Sequence, residues 1–289
     1  MSKIIPFKIP KSQKEFLRFQ IDEGKHFYGK LHQHPEWQLT LILEGKGQLM
    51  VGDYLGRFEP GDIYLLSSNV PHVFRSDEEY FASENQKKSR SNTLFFDFDA
   101  LGKEIWAVEE FLALKQWMMT IKGCYSIQGK KKESIGRSIQ RFGANAGLEK
   151  FLAALTILKS LQEMEALVQL NQMMPGKDYS ELEGKRMGNV MQFILAESQR
   201  NIALHEVAEV ANMSKEAFCR FFKERTGKTF TEFLNQLRIH KACHHLQESD
   251  LSVSQIAYQT GFQNLSNFNR AFKKYTHHTP KAFRKQVQF

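Results

Sequence analysis

Two groups of side chains in this sequence have the types and the spacing for chemistry. The first lies in the final third, where Glu216, Arg220 and Lys223 recur at intervals of three and four while Phe218, Phe221 and Phe222 fall on the opposite side of the same helical pattern. Further on, Asn267, Arg270 and Lys274 stand in the same way opposite Phe268, Ala271, Phe272 and Tyr275. A helix with an aromatic inner face and a polar, partly basic outer face, following a tight turn, suits the major groove of duplex DNA. The second group is His32, His34, Glu36 and Gln38, which strand alternation brings onto one face, although Pro35 interrupts the pleat. Inward-facing imidazoles suit zinc, iron or another transition metal. With Trp37 beside it, the same polar row could also hold a sugar, the ring stacking and the others hydrogen-bonding.

The elements that position the second group read as short strands at Leu39–Leu43, Gly47–Val51, Asp62–Leu66, His72–Arg75 and Thr93–Phe98. Gly45-Lys46-Gly47, Gly52-Asp53 and Pro60-Gly61-Asp62 punctuate them as turns, so an antiparallel barrel or sandwich is expected over residues 1–100. Residues 101–170 change to a helical period, with helices predicted at Ile105–Thr120 and Leu148–Leu170; Phe151, Leu155, Leu158, Leu161 and Met164 would line one face of the second. This segment is read as packing on the strands and as the contact between two copies of the chain. Gln86–Ser91 and Lys130–Glu133 read as solvated loops. Periodicity fails from Asn171 to Ser180, around Pro175-Gly176, which makes 171–184 the linker to a domain at 185–289.

In that last domain Ile202, Leu204, Val207 and Ala208 form one side of a short helix. Asn212 suits the left-handed conformation of the following turn, and Ser214 has the side chain of an N-cap. Val253, Ile256 and Ala257, then Gly261, then Asn264 or Ser266, repeat the plan, and Arg220-Phe221-Phe222-Lys223 matches Arg270-Ala271-Phe272-Lys273. The helical pattern between the units, Phe230–Gln247, would span about 27 Å. Major grooves on one face of B-DNA recur at about 34 Å, so the two units could occupy successive grooves over roughly 15 to 20 base pairs. Charge agrees with a polyanionic partner: from Lys185 onward there are 16 Lys and Arg against 8 Asp and Glu, whereas residues 1–184 balance at 24 and 24.

The segments Ile202–Leu246 and Ser252–Arg284 resemble the tandem domain of the AraC/XylS family of regulators, above all in Ser254-Gln-Ile-Ala-Tyr-Gln-Thr-Gly-Phe262, Asn267-Phe-Asn-Arg-Ala-Phe-Lys273 and Thr279-Pro280-Lys-Ala-Phe-Arg284. The resemblance implies base-facing positions at Glu216, Cys219 and Arg220 in the first unit and at Leu265, Ser266, Asn267 and Arg270 in the second. Of these, Arg220 and Arg270 could grip guanine bidentately, Asn267 adenine, and Glu216 could accept from cytosine. Cys219 and Leu265 offer only apolar contact, for example to a thymine methyl. One departure is His277, which stands where the first unit has Gly227. His32-Gln-His-Pro-Glu-Trp-Gln38, Pro60-Gly61-Asp62 and Pro71-His72 are similar to the two motifs of the cupin barrel, found in the sensor domains of many AraC-type regulators. This places His32, His34, Gln38 and His72 at positions that bind metal in cupin enzymes. Gln38 supplies no negative charge where those enzymes carry a glutamate, so no metal and no cofactor is favoured. His32, His34, Glu36, Trp37, Gln38 and His72 are expected to bind a small-molecule effector instead, carbohydrate being the favoured class.

The expected architecture has two domains, an all-β cupin-like barrel followed by helices and an all-α tandem helix-turn-helix domain. The expected partners are double-stranded DNA, an effector, a second copy of the chain and, by resemblance, RNA polymerase, with activation as the favoured mode. Ordinary apolar and charged fractions, 42% and 25%, exclude a disordered chain. Three irregularly spaced cysteines exclude a disulfide framework, and with no signal peptide or membrane-length apolar run a cytoplasmic address is expected. No enzyme activity is expected. The alternative is a metal-dependent cupin enzyme with an appended DNA-binding domain. An architectural protein without sequence preference conflicts with the polar residues on both candidate recognition helices.

Overall fold

A computed structural model of the chain describes residues 15–52, 54–82, 86–164, 167–171 and 181–287; most of the expected linker, 172–180, lies outside them. The chain divides into two compact units between Pro175 and Gly176.

In the first unit the strands are β1 (Leu17–Gly24), β2 (Trp37–Glu44), β3 (Gly47–Val51), β4 (Tyr54–Phe58), β5 (Ile63–Leu66), β6 (His72–Ser76), β7 (Ser89–Phe96), β8 (Cys124–Ile127) and β9 (Leu167–Gln169). They form one sheet in the order β1-β7-β2-β5-β8-β9 and a second in the order β4-β3-β6, with antiparallel pairing throughout. Three helices follow or interrupt them: α1 (Glu109–Thr120), α2 (Lys132–Arg141) and α3 (Gly147–Gln162).

Strand β2 is buried almost from end to end because both of its faces are covered. Trp37, Leu39 and Leu41 join Leu94 and Phe96 of β7 in a core roofed by Ile135 and Ile139 of α2 and by Ile157, Leu158 and Leu161 of α3. On its other face Ile42 joins Leu49, Phe58, Tyr64 and Phe74 in a core between the sheets. Gly45 makes the β2–β3 turn at φ +96°, a conformation that strains any side chain, and the Phe27 ring and Ser89 would crowd a Cβ there.

Several expectations for residues 1–170 are corrected. Strand β1 was not anticipated, although Leu17, Phe19 and Ile21 alternate with Arg18, Gln20 and Asp22. Helix α3 stops at Gln162 rather than Leu170, and Leu167–Gln169 is instead a strand on β8. Strand β8 itself lies inside the segment read as helical; four residues carry too little periodicity to announce it, and its pairing with β5 holds it. Lys132 and Glu133 open α2 rather than a loop, and Lys132 lies 3.1 Å from Asp62. Ser89–Ser91 belongs to β7.

The second unit is helical: α4 (Glu181–Glu197), α5 (Leu204–Val210), α6 (Lys215–Thr226), α7 (Phe230–Glu248), α8 (Val253–Gln259), α9 (Leu265–Thr276) and α10 (Pro280–Val287). Side-chain caps start five of these, Thr279 Oγ1 accepting from Ala282 N at the start of α10. Ser214 Oγ accepts from Ala217 N, Thr229 Oγ1 from Glu232 N, Ser252 Oγ from Gln255 N and Asn264 Oδ1 from Asn267 N, so Asn264 rather than Ser266 is the cap of α9. The turns before α6 and α9 have positive φ at Asn212 (52°) and Gly261 (95°). Helix α9 ends on His277 in the left-handed conformation, φ 61°, as α6 ends on Gly227 at 69°, so the departure from glycine leaves the turn geometry unchanged. No described helix is long and apolar enough to cross a membrane.

Because Trp37 is 6% exposed, edge-on to Phe98 and tilted against Trp117, Trp37→Ala is expected to cost about 3 to 5 kcal/mol in urea unfolding. A loss under about 1 kcal/mol would contradict its place in the core.

Candidate nucleic-acid interface and inner cavity

Helices α6 and α9 are held from beneath by their aromatic faces. Phe218 and Phe222 pack with Phe230 and Phe233 of α7, and Phe268 and Phe272 with Phe262 and Phe283. Phe218, Phe222, Phe268 and Phe272 are fully buried. That burial sets the rotation of each helix and turns the other face outward: Glu216, Cys219, Arg220 and Lys223 on α6, and Leu265, Ser266, Asn267, Arg270 and Lys274 on α9, are all exposed.

The outward side chains differ in how they are held. Asn267 Oδ1 accepts from Arg270 Nη2 at 2.6 Å, which pre-forms an amide–guanidinium pair. Lys274 lies 3.5 Å from Glu232 Oε1, at the start of α7, so its ammonium is shared with that carboxylate. Glu216 sits in the first turn of α6, where its own backbone N–H, with help from the Ser214 hydroxyl, holds its carboxyl below the usual range and keeps it an anionic acceptor.

In the first unit a cavity of about 310 Å³ opens between the sheets. Its polar wall comes from alternate residues of three neighbouring strands: Gln20 and Asp22 on β1, Gln38 and Thr40 on β2, Ser91 and Thr93 on β7. Phe27, Tyr28, Phe74 and Phe95 supply apolar surface opposite or beside it. The Gln38 amide lies 2.9 Å from His34 Nε2 and 2.7 Å from Thr40 Oγ1, which in turn is 3.1 Å from Thr93 Oγ1. A hydrogen-bonded chain therefore runs from His34 across the wall.

Of the six residues expected to bind an effector, only His32 and Gln38 line this cavity. His34 and His72 lie behind it, 4% and 1% exposed, and Glu36 is buried with Oε2 at 3.5 Å from His34 Nδ1. Trp37 is corrected outright, because the pleat of β2 sends it to the face opposite Gln38. Residues 32–36 are not a strand; His32 makes only a single bridge to His72, and β2 begins at Trp37. The cavity residues missed in the sequence, Gln20, Asp22, Thr40, Ser91 and Thr93, carried a signal in their polar alternation within otherwise apolar strands.

His32, His34 and His72 present ligand atoms within 4.8 Å of one another. Each ring has Nδ1 on a backbone carbonyl, Lys30 at 2.8 Å, Glu36 at 3.0 Å and Val70 at 2.7 Å. For His32 and His72 these bonds assign the proton to Nδ1 and put the lone pair on Nε2, the arrangement that second-shell carbonyls impose on metal-binding imidazoles, whereas both ring nitrogens of His34 face oxygens, Nδ1 that of Glu36 and Nε2 the Gln38 Oε1 at 2.9 Å. His72 Nε2 is buried with no hydrogen-bond partner. Burial lowers the His32 pKa to about 4 and that of His72 well below its usual value, so both are neutral donors at pH 7. The three rings lie close enough to hold a transition-metal ion, but His34 could ligate through Nε2 only by giving up the hydrogen bond it donates to Gln38 Oε1.

Comparison with known proteins matches residues 207–286 to a helix-turn-helix domain and residues 18–80 to a cupin domain. An uncharacterized HTH-type transcriptional regulator of Haemophilus influenzae is 24% identical, over 87% of this chain and 91% of its own. The Msm operon regulatory protein of Streptococcus mutans is 22% identical over 86% and 84%, and the HTH-type transcriptional activator RhaS of Pectobacterium carotovorum 23% over 89% and 88%. The chain thus carries a cupin domain ahead of a helix-turn-helix domain of the AraC type, and these relatives, similar over most of its length, are transcriptional regulators.

Proposed function

We propose that α6 and α9 read the two halves of one operator and that a small molecule in the cavity of the first unit biases that reading. The observation that carries the proposal is the pair of capped helices, each seated on buried phenylalanines with a polar face left outward. Arg220 and Arg270 are assigned to guanines, Asn267 to an adenine, Glu216 to a cytosine, and Cys219, Leu265 and Ser266 to close contact with base edges; Lys223 and Lys274 contact phosphate. Hydroxyl and amide side chains beside aromatic rings, with no Lys or Arg among the described lining residues, favour a neutral polyhydroxy effector of the carbohydrate class. Regulation by it requires different affinities for two states of the protein. Activation through contact with RNA polymerase, in the cytoplasm, completes this reading; the relative RhaS is named a transcriptional activator.

Selection of genome fragments by the purified protein at near-physiological salt is the direct test. It should enrich a bipartite motif with halves about one helical turn apart. Arg270→Ala should relax one base position and cost about 1 to 3 kcal/mol there, whereas Lys223→Ala should weaken all sites evenly and lower the salt slope by about 1. Enrichment of no motif, with or without cell extract, would overturn the reading.

Pairing of two protomers is assigned to α1 and α3, which leave Leu112, Met119, Leu148 and Leu152 exposed, Leu148 at 72% and Met119 at 66%. The double variant Leu148→Asp with Leu152→Asp is expected to sediment at half the mass of the parent protein. A parent that sediments as a monomer would reject the assignment.

The three-imidazole cluster favours a second reading, in which His32, His34 and His72 hold a divalent transition metal. Such an ion would supply a Lewis acid at the edge of the cavity. The cupin-enzyme alternative needs this site, and neutral Gln38 in the place of a carboxylate weighs against it. Metal analysis of the purified protein should find zinc or iron near one equivalent, lost in His72→Ala; a metal-free parent protein that also fails to take up added zinc would remove this reading.

A further inference from the structure

Arg238 lies in the middle of α7, the helix that joins the two helix-turn-helix units, and is 7% exposed. Its Nε donates to the carbonyl of Ser198 at 2.8 Å and its Nη2 to that of Arg200 at 2.7 Å. Both carbonyls belong to the turn between α4 and α5, which opens the first helix-turn-helix. The guanidinium carbon also lies 5.7 Å from the centre of the Phe262 ring, in the turn between α8 and α9 of the second unit. Gly261 shows how closely these parts meet. At φ +95° it brings its backbone so near that a Cβ would stand 2.4 Å from the Ser198 carbonyl oxygen and 2.8 Å from Arg238 Nε. The turn of one reading unit is therefore pressed against the turn that opens the other, with a single guanidinium joining them.

This is a costly way to fill a space. Burial lowers the Arg238 pKa to about 10, so the group remains a cation at neutral pH, met by two carbonyl dipoles and a ring face. An apolar side chain of similar volume would tolerate a range of dockings, whereas a charged fork bonded to two fixed oxygens accepts one. At the far end of the second unit, Tyr275 Oη donates to the Glu232 carbonyl at 3.0 Å, which ties α9 to the first turn of α7. Helix α9 is thus held to the connecting helix at one end while the turn before it is held to the α4–α5 turn at the other.

We infer that Arg238 is a positioning residue that fixes the separation of α6 and α9, and so determines which spacing between operator half-sites the protein accepts. The inference rests on the proposal that both helices read DNA. It assigns spacing selectivity to a residue that touches no base.

The test uses the full chain and a duplex library of about 30 random base pairs, long enough for two half-sites a helical turn apart. Selection is run in parallel for the parent protein, Arg238→Met and Arg238→Lys. Lysine keeps the charge but cannot fork to both carbonyls, so it keeps the test open if the methionine variant does not fold. The parent should enrich one half-site separation. The variants should enrich the same half-site bases at several separations, with the preference for the best over its neighbours reduced about tenfold, as expected when one charged hydrogen bond ceases to bias the docking. A residue that only stabilised the fold would lower the melting temperature and overall affinity without moving the spacing distribution, and unchanged spacing in the folded variants overturns the inference alone. A parent protein that enriches single half-sites, or nothing, overturns the bipartite reading and this inference with it.

Discussion

The pleat of β2 is the constraint on which the first unit depends. Because both faces of this strand are buried, each of its residues must serve one of two interiors, and a slip of one position would exchange them. Trp37, Leu39 and Leu41 are committed to the helices; Gln38, Thr40 and Ile42 are committed to the space between the sheets. Its partners obey the same division, since Gln38 stands opposite Phe95 and Thr40 opposite Thr93 in the register with β7. The polar wall of the cavity is what that register leaves after the apolar side chains have been placed.

The wall is also where the unit accepts polar groups in a low-dielectric interior. Gln38, Thr40 and Thr93 are nearly inaccessible, and their mutual hydrogen bonds offset the loss of water. The histidines extend the same logic. Backbone carbonyls orient all three rings through Nδ1, and burial keeps His32 and His72 neutral. A neutral polyhydroxy ligand in the cavity and a cation at the rings would draw on neighbouring parts of one network, joined at His34 and Gln38.

The second unit solves a different problem, which is to present side chains outward at a fixed angle. Each of α6 and α9 is anchored by phenylalanines below, by a side-chain cap at its start and by a left-handed residue at its end. The outward polar side chains of both helices therefore stand on a rigid support. Arg238 and Tyr275 add the long-range ties that relate one helix to the other.

What the sequence by itself determined follows from how local the physics is. Asn212, Ser214, Gly261 and Asn264 act on backbone groups within a few residues, and Phe218, Phe222, Phe268 and Phe272 declare a buried face at a spacing of four, so the two units could be read without knowing what they pack against. The strands at Gly47–Val51 and Ile63–Leu66 were legible from their turn residues for the same reason. Only the tertiary structure decided which side of β2 faces the cavity, that His34 and His72 stand behind it while Gln20 and Thr93 line it, and that Cys124–Ile127 and Leu167–Gln169 complete a sheet rather than prolong helices. These outcomes depend on partners far away in the chain. A period of two marks two faces without saying which lies inward, and a segment of three or four residues takes its conformation from the strand beside it.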